Sequence, residues 1–419
     1  MTRKEHVLVI GAGAAGLIAA TKIAGHYGVT IIEARDRPGG RIHTIGNAAG
    51  EGALESGAEF VHGDLPLTNT LIREAGLTKI KVEGAMYRKE NGRWKKQDEM
   101  IEGWDEMLAL MKNLPVHVTM QEFMDKHYPP DKHPELRKQM TAYVQGFDLA
   151  SVGEVSARSL YDEWSAEEEQ YRVKEGYSSI INYLVQQLTQ KGGDFHFSER
   201  ATGIHWSANK VTVSTESGRE FNGTRLLGAV PVSILGNPAL LPFYPAIPLY
   251  TQSASAIGFG PVVKILFEFS EPFWKKDTGF IFADEAIPTW WTQNPIKNGL
   301  LTGWAGGPDA QRIFNFRDDE IKDVGLKCLA NIYDISSENL RTNLLRSNVF
   351  NWIRDKNCLG AYSYARPASK EARKTLSQPV DNTLFFAGEG IFDGAYPGTV
   401  EAAFHTGMRA ASDILASFR

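Results

Sequence analysis

Residues 7–41 read VLVIGAGAAGLIAATKIAGHYGVTIIEARDRPGGR, and their order decides the fold. Val7-Leu8-Val9-Ile10 is a short, largely β-branched run that predicts a strand. Gly11-Ala12-Gly13-Ala14-Ala15-Gly16 follows at once. Leu17 to Tyr27 predicts a helix stopped by Gly28, and Val29-Thr30-Ile31-Ile32 predicts a second strand that closes on Glu33. This is a strand–turn–helix–strand unit with GxGxxG at its turn and an acid 17 positions after the third glycine. Gly11 permits the tight turn, Gly13 lets a pyrophosphate approach the backbone, and Gly16 lets helix and strand pack closely. The helix N-terminus supplies amide donors and partial positive charge. Glu33 is placed to accept ribose hydroxyls. A lone GxGxxG is weak, but in this context the unit implies a dinucleotide site.

The rest of the composition narrows the class. The 419 residues carry 50 Asp and Glu against 45 Lys and Arg, a net charge of −5. A nucleic-acid-binding surface would be strongly basic, so that class is excluded. Apolar residues at 42% suffice for large buried cores, which excludes disorder as the main state. Cys328 and Cys358 form no CxxC pair, and the ten histidines show no HExxH spacing, so neither a disulfide scaffold nor a metal site is expected. The charged head MTRKEH before the apolar run Val7–Ala20 mimics an export signal. The three glycines inside that run favour the phosphate-binding turn, and the run is shorter than the roughly 20 residues of a membrane span. A soluble cytoplasmic protein is expected, with no membrane partner. The oligomeric state is left open.

Beyond Glu33 the chain continues Ala34-Arg35-Asp36-Arg37-Pro38-Gly39-Gly40-Arg41. A second glycine pair exposes backbone amides, and Arg41 offers a charge-assisted contact to a diphosphate. This ExxxxxGGR element resembles that of the flavin-containing amine oxidases, a family of monoamine oxidases, polyamine oxidases, L-amino-acid oxidases and lysine-specific histone demethylases. ALESGAEFVHG at residues 53–63 resembles the family's next element. The likeness covers most of the chain but is specific at only four or five motifs. It implies noncovalent FAD. Monoamine oxidases attach the flavin through a cysteine immediately before a cage tyrosine, where this chain has Ala361, and Cys358 lies three residues away. No second GxGxxG exists: Gly258-Phe259-Gly260 and Gly388-Glu389-Gly390 lack the third glycine, so reduction by NAD(P)H is disfavoured and the substrate is expected to supply the electrons.

The implied fold is α/β, a Rossmann-like FAD-binding domain with an interleaved α+β substrate-binding domain. The expected FAD-binding pieces are 1–68, 190–243 and 376–419; the substrate-binding pieces are 69–189 and 244–375. Residues 70–190 read as charged and helix-prone, with amphipathic runs near 97–113, 134–150 and 177–191. Residues 195–235 read as short strands, 255–304 as aromatic-rich strands, 318–334 as a helix, and 383–419 as a strand, a turn and a helix. The acidic run Glu167-Glu168-Glu169 reads as a solvated helix face, with attraction of a polycation as the alternative.

The resemblance also assigns residues. It places Gly11, Gly13, Ala15, Gly16, Glu33, Ala34, Arg35, Gly39, Gly40, Arg41, Ala201, Gly388, Glu389, Thr399 and Val400 at the cofactor. Glu389 is implied near the ribityl and diphosphate groups, and the amide at Val400, opening the last helix, near the pyrimidine side of the ring. Val262 to Phe269 alternates as a strand with Lys264 and Glu268 on one face. A lysine there is ordinarily a solvated edge residue. The family carries a lysine in such a strand, ahead of a proline–aromatic step matched by Pro272-Phe273, and Lys264 takes its implied role beside the flavin. Trp352 and Gly360-Ala361-Tyr362 resemble the family's tryptophan-to-GxY segment, which makes Tyr362 one wall of an aromatic cage around the amine. The second wall aligns with Thr399, where monoamine oxidases have tyrosine; Tyr396 lies three residues earlier. His62 matches a histidine near flavin and substrate, able to accept a hydrogen bond from the amine or to set its protonation near neutral pH; a structural histidine under the ring is the alternative.

The implied reaction converts an amine C–N bond to an imine by hydride transfer to flavin N5, with dioxygen returning the flavin to its oxidised state and forming hydrogen peroxide. Two alternatives stay open: a carbon–carbon desaturase of the protoporphyrinogen-oxidase kind, and a catalytically silent FAD-binding scaffold.

Overall fold

The computed structural model describes residues 5–46, 53–90, 92–166, 169–394 and 396–418. Glu167 and Glu168 of the acidic run lie outside them. The protein is α/β. Five parallel strands, in the order Asp194–His196, Gly28–Ile32, His6–Ile10, Arg225–Gly228 and Leu384–Phe386, form the first sheet. Its central strands read as continuous apolar runs because both faces are covered. On one face the helix Ala14–Ile23 packs between Ser178–Gln190 and Val400–Ala416. The approach to the last helix is close: a Cβ on Gly407 would lie 2.4 Å from the Ala15 carbonyl oxygen.

The second large sheet has seven strands, in the order Leu344–Asn351, Val262–Phe269, Leu300–Gly306, Thr289–Thr292, Thr278–Ala283, Ala85–Glu90 and Arg93–Gln97. All neighbours are antiparallel except Thr278–Ala283 against Ala85–Glu90. Side chains alternate across it. Val263, Ile265, Phe267, Ile281, Trp290 and Leu301 point into a core shared with the helix Asp318–Tyr333. Lys264, Phe280, Phe282, Trp291 and Trp304 face the other way, into a cavity between this sheet and the parallel one. Four helices, Trp104–Met111, Met120–His127, Pro134–Gly146 and Ala157–Trp164, build a separate apolar cluster beside that cavity.

Two expectations need correction. The first helix begins at Ala14, not Leu17, so Gly13 is itself its N-cap. Residues 70–190 are not helical throughout: Lys79–Lys81, Ala85–Glu90, Arg93–Gln97 and Gln170–Val173 are strands. Their lysines and arginines hid the β pattern. The hairpin 85–97 sits at the sheet edge, where charged side chains block further strand pairing.

Candidate active site

The turn after the first strand is shaped by its glycines. Gly11 has φ +105°, and a Cβ there would lie 2.6 Å from the Ala229 carbonyl oxygen. A Cβ on Gly16 would lie 2.0 Å from the Gly11 carbonyl oxygen. Gly16 therefore serves packing and does not line the cavity. A Cβ on Gly13 would meet nothing within 4 Å: its bare face opens onto the cavity, beside the unpaired first amides of the helix. The Gly39-Gly40 turn docks on the same loop, the Gly39 amide donating to the Ala12 carbonyl at 2.8 Å.

Glu33 is buried at the end of the second strand, where it accepts the Ala12 amide at 2.7 Å and the Arg35 amide at 2.8 Å. Desolvation pushes its pKa up, opposed by the two amides and by Arg35 and Arg37. Arg35 is held by Asp355 at 2.7 Å and lies over Trp352. Arg41 uses Nη1 for both Glu389, at 2.7 Å, and the Ala361 carbonyl, at 2.6 Å. Glu389 in turn accepts the Ser363 hydroxyl at 2.6 Å, so the GGR element and the segment carrying Tyr362 are tied through one carboxylate. Ala15, Ala34, Ala201, Gly388 and Val400 line the same cavity. Thr399 lines it too, but as the N-cap of the last helix. Its hydroxyl accepts the Ala402 amide at 3.1 Å and donates to the Tyr396 carbonyl at 2.7 Å, so it supplies no aromatic wall.

The cavity has a volume of about 1340 Å³. Small-molecule sites are typically about 300–1,000 Å³, so this space accommodates a dinucleotide and a substrate together. The open Gly13 face, the helix amides and the buried acid at the second strand end fit such a cofactor.

At the far end of the cavity Lys264 is only 1% exposed. Its Nζ donates to Glu59 Oε2 at 2.8 Å and to the Gly57 carbonyl at 3.2 Å. Glu59 Oε1 accepts from Arg172 Nε at 2.9 Å, Trp291 Nε1 at 2.9 Å and Gln293 Nε2 at 3.3 Å. Although burial opposes ionisation, Lys264 and Arg172 hold the Glu59 carboxyl down at about 2. The Tyr362 hydroxyl donates to the Phe147 carbonyl, and its ring lies 6.4 Å from that of Trp304 with 22° between the planes. Burial, with Asp148, Glu163 and Glu389 nearby, keeps the phenol protonated. Trp352 donates Nε1 to the Ser56 carbonyl at 3.0 Å.

His62 lines the cavity between the rings of Phe60 and Phe147. Burial pulls its pKa to about 4, which corrects one expectation: it is neutral near pH 7 and does not titrate there. Glu59, Arg172, Trp291 and Trp304 were not foreseen as site residues. Their signal is tertiary, except that Trp291 and Trp304 fall in the aromatic-rich strands.

The chain belongs to the flavin containing amine oxidoreductase family, whose model matches residues 14–415. It is a flavin-dependent amine oxidoreductase, and its cofactor is FAD. It is 26% identical to polyamine oxidase 4 of Oryza sativa subsp. japonica, over 97% of this chain and 88% of that one. It is also 26% identical to lysine-specific histone demethylase 2 of Homo sapiens, over 98% of this chain and 53% of the relative. Putrescine oxidase bound to putrescine shares the fold with a TM-score of 0.82 at 20% identity, covering 99% of each chain. Cyclohexylamine oxidase from Brevibacterium oxydans IH-35A does so at 0.81 and 18%, covering 99% of this chain and 100% of that one.

Proposed function

We propose that the protein oxidises an amine C–N bond to an imine, with dioxygen as the final electron acceptor and hydrogen peroxide as its product. The single observation that carries this reading is the presence of Lys264 and Tyr362 on the wall of the same cavity as the dinucleotide cradle. When bound, FAD would supply the hydride acceptor for the amine and the redox link to dioxygen. Gly11, Gly13, Glu33, Gly39, Gly40 and Val400 would hold it.

The protein's own residues do the rest. Phe60, Phe280, Trp291, Trp304 and Tyr362 form an apolar lining that excludes water and favours the neutral amine, whose lone pair assists hydride loss. The Tyr362 face orients the C–N bond. Neutral His62 accepts an N–H of the amine without competing for its proton. The Lys264 ammonium stabilises negative charge that develops in the cavity.

Noncovalent cofactor binding is supported by Ala361, which offers no nucleophile, and by Cys358, whose thiol is buried and pushed up in pKa by that burial. Reactive cysteines are exposed thiolates. A peroxide-coupled screen of monoamines, polyamines and amino acids, with a Lys264→Met control, tests the proposal. Peroxide formed from an amine by the natural chain and strongly reduced in the variant supports it; no peroxide from any amine contradicts it.

A further inference from the structure

The carboxylate of Glu59 is the most heavily used acceptor beside the cavity. Its two oxygens take four donors, from Lys264, Arg172, Trp291 and Gln293, which lie 205, 113, 232 and 234 residues away in sequence. Three of these donors converge on Oε1 and Lys264 takes Oε2, so the carboxylate is held as an anion between two cations and is a poor acceptor for a substrate proton. Arg172 is itself fixed by the carbonyls of Asn294, at 3.3 Å, and Thr292, at 3.1 Å, and it covers the Phe60 ring. A buried ion cluster of this kind is a poor device for stability, since well-packed apolar residues of equal volume often do as well or better. What the cluster achieves is geometric. Among the described residues Lys264 Nζ has two acceptors, Glu59 and the Gly57 carbonyl. One of its three N–H bonds is left for a group in the cavity. The same carboxylate fixes the Trp291 indole, whose ring meets Trp304 at 5.8 Å, and Trp304 in turn lies against Tyr362.

We propose that Glu59 is a positioning residue: it holds the Lys264 ammonium and the Trp291 ring in one arrangement at the cavity wall and thereby couples the lysine to the aromatic wall that carries Tyr362. The inference rests on the role assigned to Lys264 above. Glu59 itself touches neither proton nor electron in the reaction.

Two measurements on the flavin-loaded protein test it. The first is carbamylation of Lys264 by cyanate, mapped by peptide mass spectrometry, which does not depend on turnover. Glu59→Gln removes the ion pair that pins Lys264 Nζ against the wall, so the freed amine is expected to be labelled about 10-fold faster or more. Equal labelling in both proteins overturns the proposal. The second is the rate of flavin reduction by amine in Glu59→Gln, Lys264→Met and the double variant. Glu59→Gln is expected to slow it about 10-fold, and the double variant to match Lys264→Met alone, because residues acting through one another are not additive. Losses that multiply overturn the proposal. Should Glu59→Gln fail to fold, Glu59→Asp keeps the charge with a shorter reach. Its rate loss is expected to vanish in the Lys264→Met background, and persistence there overturns the proposal. If Lys264→Met leaves flavin reduction and reoxidation intact, the role of Lys264 fails, while the labelling result still decides whether Glu59 holds it.

Discussion

Glu59 Oε2 lies 2.8 Å from Lys264 Nζ, with both side chains almost wholly removed from solvent. The pair reaches across from the short segment after Gly57 to the strand Val262–Phe269, and it orients the one cation that the cavity takes from that strand. Most of what the protein is expected to do in solution follows from this contact and from the glycine turn opposite.

Replacing Lys264 with methionine preserves the length of the side chain and removes its charge. Glu59 keeps Arg172, Trp291 and Gln293, so the fold is expected to survive. The stability loss should fall below the about 3–5 kcal/mol typical of breaking a buried ion pair outright. Loss of a preorganised charge should slow flavin reduction or reoxidation about 10²–10³-fold. Stopped-flow measurement of both half-reactions checks this, and two unchanged rates would refute it.

Tyr362→Phe separates the ring from its hydroxyl. The ring stays beside Trp304, so amine affinity should change little. The Phe147 carbonyl loses its donor, a cost of about 1–3 kcal/mol for an unsatisfied buried acceptor. A lower melting temperature with a nearly constant KM is expected. Tyr362→Ala, which removes the ring, should raise KM sharply. If both variants alter KM alike, the ring is not the element that meets the amine.

The two glycines of the turn make a paired test. Ala at Gly16 would place a methyl 2.0 Å from the Gly11 carbonyl oxygen, so Gly16→Ala should fail to fold or lose much of its stability. Ala at Gly13 clashes with no protein atom and should fold. Its methyl occupies the face left open to the cofactor, so Gly13→Ala should purify colourless with a normal circular dichroism spectrum. A yellow Gly13→Ala protein would place the cofactor elsewhere.

Glu55, buried against Thr44 and the Tyr177 amide, has its carboxyl pushed up to about 7 from the usual 4.5 by desolvation. The folded state binds this proton more tightly than the unfolded state. Its contribution is therefore complete below about pH 4.5 and is lost as pH rises through about 7, a difference of about 3 kcal/mol. Thermal melts of the natural chain and Glu55→Gln should diverge between about pH 5 and 8, with the variant gaining relative stability at the alkaline end. Parallel curves would show that Glu55 is ionised throughout.

The cofactor end of the protein was legible in the sequence because its requirements are backbone requirements. A positive φ at Gly11 and a close approach at Gly16 admit only glycine, and the acid after the second strand falls at a set distance from them. The catalytic end was legible only in part. Strand alternation put Lys264 on one face of its strand but gave no reason for that face to be buried, since the covering residues come from distant segments. Nothing in the sequence singles out Glu59 for the same reason: its four partners converge only after both sheets have formed. The strands at 79–97 were missed because edge strands carry the charges that otherwise mark solvated helices. Thr399, aligned with a cage wall, is the N-cap of the last helix, as a threonine at a helix start leads one to expect.

The most direct measurement is anaerobic titration of the purified protein with a panel of amines while the visible flavin absorbance is followed, with air then admitted and peroxide assayed. The account predicts bleaching by at least one amine, faster as pH rises through that amine's own pKa because His62 stays neutral, and one peroxide per flavin on return of the colour. A protein that stays yellow with every amine, or bleaches and recovers its colour without forming peroxide, would contradict it.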